Sequence, residues 1–245
     1  LFFPPLYERK GHMQKKYALF DFDGTLCKGD SIIQMCQFAC KRRLCTKKQL
    51  MRGIGAAIRF KLGRLTIEQA KQQAMEWIKG RSEIEMAAFA QLFCLEVLMP
   101  RFFPEGIATL QKEQQEGATV LLITASPSFY LMPLKDMLGI SDVIGTRMDV
   151  DPSGLYTSLV GDNCRGLQKP LRLAEYLACK GDRLDYDTST AYGNSTGDLP
   201  MLEVCSRKVA VNPGGKMKKK LAAMENVSIV HWGVKPAKLS GKEAV

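Results

Sequence analysis

Histidine is scarce in this 245-residue chain. Only His12 and His231 are present, too little material for a histidine-based triad or a zinc site. No apolar run approaches the roughly 18 residues that would span a bilayer. The opening Leu-Phe-Phe-Pro-Pro stretch is too short and too proline-broken for a secretory leader, and it lacks a small-residue cleavage site. No C-x-x-C pair occurs among the eight cysteines, which are scattered at Cys27, Cys36, Cys40, Cys45, Cys94, Cys164, Cys179 and Cys205. Several fall on apolar helix faces, so reduced core thiols in a cytoplasmic protein are expected rather than a disulfide framework. Internal repeats and low-complexity tracts are also missing.

What is present is ordinary globular material. A hydrophobic fraction of 46% excludes disorder throughout, and the length suits one large domain or a domain carrying a smaller insert. Residues 1–12 precede Met13 and the first convincing strand, and are expected to be a loose arm or a leftover of expression. Tyr17-Ala-Leu-Phe20 predicts a buried strand that delivers acidic residues at its end. From residue 30 to 100 the period changes to helical. Stripes run through Ile32, Met35 and Cys36; through Leu50, Ile54 and Ile58; through Ile67, Ala70 and Trp77; and through Ile84, Ala88 and Leu92. Gly53 and Gly55 weaken the second.

After Pro100 and Pro104, strands and helices alternate. Helices are predicted at 105–116, 126–138, 169–179 and 198–204, strands at 119–123, 142–145, 188–192, 208–211 and 227–231, and a hairpin across 148–160. A basic helix is predicted after Gly215. The pattern predicts an α/β fold with a doubly wound, mostly parallel sheet and an inserted all-helical domain. The expected division is a core of 13–29 and 101–245 with a helical cap of 30–100. Ligands of such folds sit beyond the carboxyl ends of the strands. Asp21 and Asp23, Thr124, and Asn194 with Asp198 all fall at such ends.

The chain's net charge of +10 is concentrated in the insert. Between Asp30 and Arg64, nine cations face Asp30 alone, a net +8. That segment is either a solvated basic face or a surface that attracts an anionic substrate, a lipid headgroup or nucleic acid.

Asp21 and Asp23 lie one residue apart at a strand end, so both face one crevice. Two uncompensated carboxylates invite a divalent cation. One can attack phosphorus while the other donates a proton to the leaving oxygen. An isolated Asp-x-Asp is commonly a solvated loop, but the run Ala18-Leu-Phe-Asp-Phe-Asp-Gly-Thr-Leu26 is far more specific.

Phe20-Asp-Phe-Asp-Gly-Thr-Leu26 resembles the first motif of the haloacid dehalogenase superfamily of phosphatases. Leu121-Leu-Ile-Thr-Ala-Ser126 is similar to the second, Gly166-Leu-Gln-Lys169 to the third, and Tyr192-Gly-Asn-Ser-Thr-Gly-Asp-Leu-Pro-Met-Leu202 to the fourth. Val211-Asn-Pro213 and Trp232 further resemble the phosphoserine-phosphatase-like branch, subfamily IB. The resemblance covers roughly residues 17–232. It implies a Rossmann-like core with a helical cap, and a Mg²⁺-dependent phosphomonoester hydrolase working through an aspartyl-phosphate. It further implies Asp21 as nucleophile and Asp23 as acid and base. Thr124, Ala125 and Lys169 are implied at the phosphate, and Asp21, the Asp23 carbonyl, Asn194 and Asp198 around the metal. Most relatives carry Asp where this chain has Asn194, and the lost charge is expected to raise the Mg²⁺ requirement.

The implied substrate is a small phosphorylated metabolite or a lipid headgroup phosphate, the latter with peripheral contact between the basic cap and an anionic membrane. Phosphoserine hydrolysis is an alternative in which Asp30 receives the substrate amine, although Lys28 opposes an ammonium. Phosphotransfer to an alcohol shares the same intermediate. A catalytically lapsed basic binding protein is the distant alternative, and no nucleic-acid partner is expected.

Overall fold

A computed structural model describes residues 13–160 and 162–233. The arm expected at 1–12 and the end of the core beyond 233 lie outside them. In chain order the elements are Met13–Lys15 (β1), Tyr17–Phe20 (β2), Ser31–Lys41 (α1), Lys47–Lys61 (α2), Ile67–Met75 (α3) and Glu83–Phe93 (α4). Then come Pro104–Gln115 (α5), Thr119–Pro127 (β3), Leu134–Leu138 (α6), Asp142–Thr146 (β4), Met148–Val150 (β5) and Tyr156–Val160 (β6). Gln168–Lys180 (α7), Asp182–Leu184 (β7), Thr190–Gly193 (β8), Leu199–Leu202 (α8), Arg207–Val211 (β9), Gly215–Leu221 (α9) and Val227–Val230 (β10) complete the order.

Six strands form a wholly parallel sheet in the order β10-β9-β8-β2-β3-β4. The four residues of β2 are fully buried because the strand is central and covered on both faces. Period-two alternation divides its side chains between two cores. Ala18 and Phe20 join Val120, Leu122 and Tyr192 on one face, under Leu110 of α5 and Leu134 of α6. Tyr17 and Leu19 join Leu121, Ile123 and Ala191 on the other, under Leu173 of α7, Leu202 of α8 and Leu221 of α9. From β2 the chain winds one way through β3 and β4, and the other way through β8, β9 and β10. The carboxyl ends beside β2 are therefore the topological switch point of the sheet.

The expected helical segment is present as α1 to α4, the last prolonged by a π turn at Cys94–Leu98 and a short 3₁₀ turn at Met99–Arg101. Thr46 and Thr66 each close a capping box with a glutamine three residues on, and Ser82 caps α4. The chain leaves the sheet and returns to it side by side. Cys27 bridges Phe102, and the Lys28 and Phe103 amides donate to the Arg101 and Leu26 carbonyls. On its far side the insert is laced to the β5–β6 hairpin, where the Gly80 amide donates to the Tyr156 carbonyl and the Glu83 amide to that of Gly154.

One predicted stripe lies on the wrong face, and a second is only half-buried, with Leu50 against the core and Ile58 exposed. In α4, Ile84 is 84% exposed and Leu92 is 42% exposed, while Met86, Phe89, Ala90 and Phe93 are buried. The aromatic pair decides this, because Phe89 and Phe93 pack on Phe38 and bury more apolar area than Ile84 and Leu92 can. In α2 the buried residues are Gly53 and Ala56. A Cβ at Gly53 would lie 3.2 Å from Ala74 Cα, so the glycine that weakens the helix is what allows α2 to approach α3.

Elsewhere the predicted helix at 126–138 is broken into several pieces. β3 runs on to Pro127, a 3₁₀ turn spans Ser128–Tyr130, and only Leu134–Leu138 is α-helical. The helix at 198–204 contracts to Leu199–Leu202. The short parallel pair of β1 and β7 was missed, since three-residue strands carry too little periodicity to stand out. Six of the cysteines are buried thiols, whereas Cys40 is half-buried and Cys179 exposed. All nine cations of the basic segment are exposed. Arg42 and Arg52 pair with Glu96 and Glu76, and Arg59 donates to Gln73.

Candidate active site

Four separate segments meet at the carboxyl ends of β2, β3 and β8. Their centre is Lys169 in the first turn of α7, only 1% exposed. Its Nζ donates to Asp21 Oδ1 at 2.7 Å, Asp198 Oδ1 at 2.6 Å and the Ile123 carbonyl at 2.7 Å. An ammonium has three protons, and all three are thereby committed. A lysine at a helix N-terminus is opposed by the helix dipole and by desolvation, so two carboxylates are what hold it there. Burial works against the Lys169 charge, but Asp198 and Asp21 outweigh it and push its pKa up. Burial also acts against Asp198, and is overcome by Lys169, leaving that carboxyl low. Asp21 is pushed up by its own burial and by Asp198, with Lys169 pulling the other way.

Both oxygens of Asp198 are engaged. Besides the Lys169 bond, its Oδ2 accepts from the Asn194 amide at 3.2 Å, the Ser195 amide at 2.9 Å and Ser195 Oγ at 2.9 Å. It therefore ties the β8 turn to Lys169. Asp21 receives a second donor from Thr25 Oγ1 at 3.0 Å. Thr124 is 1% exposed, and its Oγ1 accepts from the Ser126 amide at 3.1 Å. Its own hydroxyl proton has no acceptor among the described residues. The half-buried Ala125 gives its carbonyl to Thr146 Oγ1 at 2.6 Å and to Lys71.

Asp23 lies across the crevice, half-buried at the N-terminus of α1. The Ser31 amide donates to its Oδ1 at 2.7 Å, and Ser31 Oγ and Ser126 Oγ lie 3.0 and 2.5 Å from its Oδ2. Tyr130 closes this hydroxyl cluster, 2.8 Å from Ser31 Oγ. Burial pushes the Asp23 carboxyl up to about 6, with the bond from Ser126 working against it.

Asn194 is half-buried against the first acidic turn. Gly24 has φ +79°, and a Cβ there would collide with Asn194 Nδ2, so this glycine both makes the turn and admits the amide. Among the described residues no three His, Cys, Asp or Glu side chains form a ready metal cluster. The donors on offer are instead an Asp21 carboxylate, the Asp23 carbonyl and the side-chain amide of Asn194, which packs on the Gly24 turn that follows them. A set made only of oxygen donors fits a hard cation such as Mg²⁺.

Sequence reasoning missed Ser31, Ser126, Asn163 and Lys71. Ser126 lay inside a quoted motif but was not singled out, and the others sit in regions without a motif. Asp30, considered as an amine receptor, is exposed and accepts from the Ile32 and Ile33 amides as the cap of α1. Lys28 is exposed too, with its Nζ over the Phe103 ring. Asn212 and Trp232, by contrast, form a clamp. The Trp232 amide donates to Asn212 Oδ1 at 3.0 Å, and Asn212 Nδ2 donates back to the Trp232 carbonyl at 3.2 Å. The indole packs near the Tyr192 ring and against Gly106, buttressing β8 from behind.

Comparison with known proteins adds four findings. The model of the haloacid dehalogenase-like hydrolases matches residues 18–203. Histidinol-phosphatase of Neisseria meningitidis serogroup C (strain 8013) is 29% identical over 208 residues, covering 84% of this chain and 94% of that protein. Phosphoserine phosphatase SerB1 of Mycobacterium tuberculosis is 26% identical over 206 residues, covering 82% of this chain and 66% of its own. Among solved structures, a protein with unknown function from Bordetella pertussis Tohama I superposes with a TM-score of 0.79 at 26% identity, covering 89% of this chain and 99% of that one.

Proposed function

Because this chain belongs to the haloacid dehalogenase-like hydrolases, we propose that it hydrolyses phosphate monoesters of small metabolites through a phosphorylated Asp21. One observation carries this reading. Asp21 and Lys169, 148 residues apart in sequence, are 2.7 Å apart at the sheet's switch point, with Thr124 and Asp23 on the same rim. The relatives named as phosphatases support the same reaction class.

In the first step an Asp21 oxygen forms a bond to phosphorus while the bond from phosphorus to the ester oxygen breaks. The Asp23 carboxyl gives its proton to the departing alkoxide, so the leaving group departs as a neutral alcohol. In the second step water attacks phosphorus, Asp23 takes a water proton, and the bond between phosphorus and Asp21 breaks to release inorganic phosphate. The Thr124 hydroxyl donates to a phosphoryl oxygen, joined by the Ala125 amide. Lys169, its protons already committed, acts as a fixed positive charge that offsets the charge building on the equatorial oxygens. Asp198 positions Lys169 and the β8 turn. Asp21, the Asp23 carbonyl and the Asn194 amide oxygen would hold Mg²⁺, which when bound supplies charge neutralisation at the phosphoryl group. Ser31 and Ser126 keep the Asp23 carboxyl aimed at the leaving oxygen.

The test is a screen of phosphorylated metabolites with Mg²⁺, using Asp21→Asn as the blank, with acid-quench capture of the phosphoenzyme. Phosphate release that survives Asp21→Asn sinks the proposal. Amino-alcohol phosphates are the second reading, favoured by the names of the two relatives. Lipid phosphates are tested by comparing micellar with soluble esters. Phosphotransfer differs only in the acceptor of the second step, and added alcohols would reveal it. A lapsed basic binding protein predicts no turnover and salt-sensitive binding to duplex DNA.

A further inference from the structure

Lys71 is a buried cation with no counter-ion. It lies on α3, in the insert, yet it is only 6% exposed because its side chain reaches across to the core. Its Nζ donates to the Ala125 carbonyl and, at 2.6 Å, to Asn163 Oδ1. Both acceptors are neutral, and an ammonium carries a third proton. No carboxylate lies within ion-pair distance of it among the described residues. Lys169 is buried as deeply but holds two carboxylates. A desolvated ammonium without an anion is a costly arrangement. Burial accordingly presses its pKa down to about 8, while Asp23, Asp30, Cys164 and Glu68 act from a distance to raise it. Ala125 is followed by Ser126, whose hydroxyl holds the Asp23 carboxyl, so the ammonium stands beside the segment that carries the leaving-group acid.

We propose that Lys71 is a specificity residue that receives an anionic group, a carboxylate or a second phosphate, on the leaving portion of the substrate. The insert carries this cation to the strand ends, where the anion supplies the missing charge and takes the third proton. Substrates whose leaving group carries only an ammonium meet a like charge there and are disfavoured. The inference rests on the phosphatase reading for its substrate, and the test separates the two.

Three soluble esters differing in leaving-group charge are compared: phosphoglycolate, glycerol phosphate and phosphoethanolamine. In the wild type kcat/KM follows that order. In Lys71→Met, phosphoglycolate loses about 10–100-fold, mainly through KM, as expected for one charge-assisted hydrogen bond. Glycerol phosphate loses far less than phosphoglycolate, and circular dichroism reports that the variant is folded. Lys71→Arg restores part of the preference. Equal losses on all three esters, or no loss on phosphoglycolate, overturn the proposal. The shift in Tm on adding phosphoglycolate reads the same contact without turnover. A shift that Lys71→Met abolishes supports it, and an equal shift in both proteins, or none in the wild type, refutes it. Failure of the wild type to turn over any ester while that Lys71-dependent shift persists counts against the phosphatase reading alone.

Discussion

Replacing Lys169 by methionine probes the electrostatic centre of the site. The substitution nearly conserves volume but leaves Asp21 and Asp198, both almost fully buried, facing each other without a cation. Removing one member of a buried ion pair costs about 3–5 kcal/mol, most of it the penalty of the charges left behind. For a chain of this size that is a fall in Tm of about 6–20 °C. The loss depends on pH in a definite direction. Without Lys169 the folded-state pKa values of Asp21 and Asp198 rise above their unfolded values, because burial and mutual repulsion then act unopposed. A folded state that binds protons more tightly gains stability as pH falls. The deficit of Lys169→Met against the wild type should therefore shrink from pH 7 toward pH 5. Urea unfolding at several pH values measures it. Adding Asp198→Asn removes one orphan charge and should recover part of the stability without restoring turnover. A deficit under about 1 kcal/mol that does not vary with pH would refute the account of Lys169 as the clamp between two buried acids.

Asn194→Asp adds a charge to the oxygen donors and should lower the half-saturating Mg²⁺ concentration about tenfold; an unchanged Mg²⁺ titration removes position 194 from the metal site. Gly24→Ala should cost about 1–2 kcal/mol from its positive φ. Because the new Cβ also displaces the Asn194 amide, Mg²⁺-dependent turnover should fall by far more than stability does, and parallel losses would contradict that. Lys71 has a folded pKa of about 8 against an ordinary 10.5. The unfolded chain thus binds more protons between those values, and wild-type stability gains on Lys71→Met by about 3 kcal/mol as pH rises through that window. A stability difference that stays flat from pH 7 to 10.5 argues that Lys71 is not a desolvated cation.

Much of the architecture was legible because its signals are local. A four-residue apolar run ending in Asp-x-Asp announces a central buried strand, and β2 is one. Alternation of strands and helices announces the parallel sheet and its two covered faces. The errors came where local signals tie. Ile84, Ala88 and Leu92 repeat at helical spacing as well as Met86, Phe89 and Phe93 do, and only the Phe38 ring across the insert selects the second set. The stretch from Ser126 to Leu138 has a helical period, but β4 pairs with β3 out to Pro127, which holds its start extended and delays the α-helix to Leu134.

The amino-acid order alone determined where most strands lie, because side-chain period is a property of consecutive residues, although β3 runs past its expected end to Pro127. It thereby singled out Asp21, Asp23, Thr124, Asn194 and Asp198, while Lys169 was named by the resemblance of its motif. Tertiary structure alone decided who meets whom. Lys71 carries no motif and stands among other insert cations as one more lysine. It becomes distinctive only when folding removes its water and leaves it without an acid, since desolvation and counter-charge are set by distant segments. The same holds for Ser31 and Ser126, ordinary hydroxyls until α1 and β3 place them on Asp23.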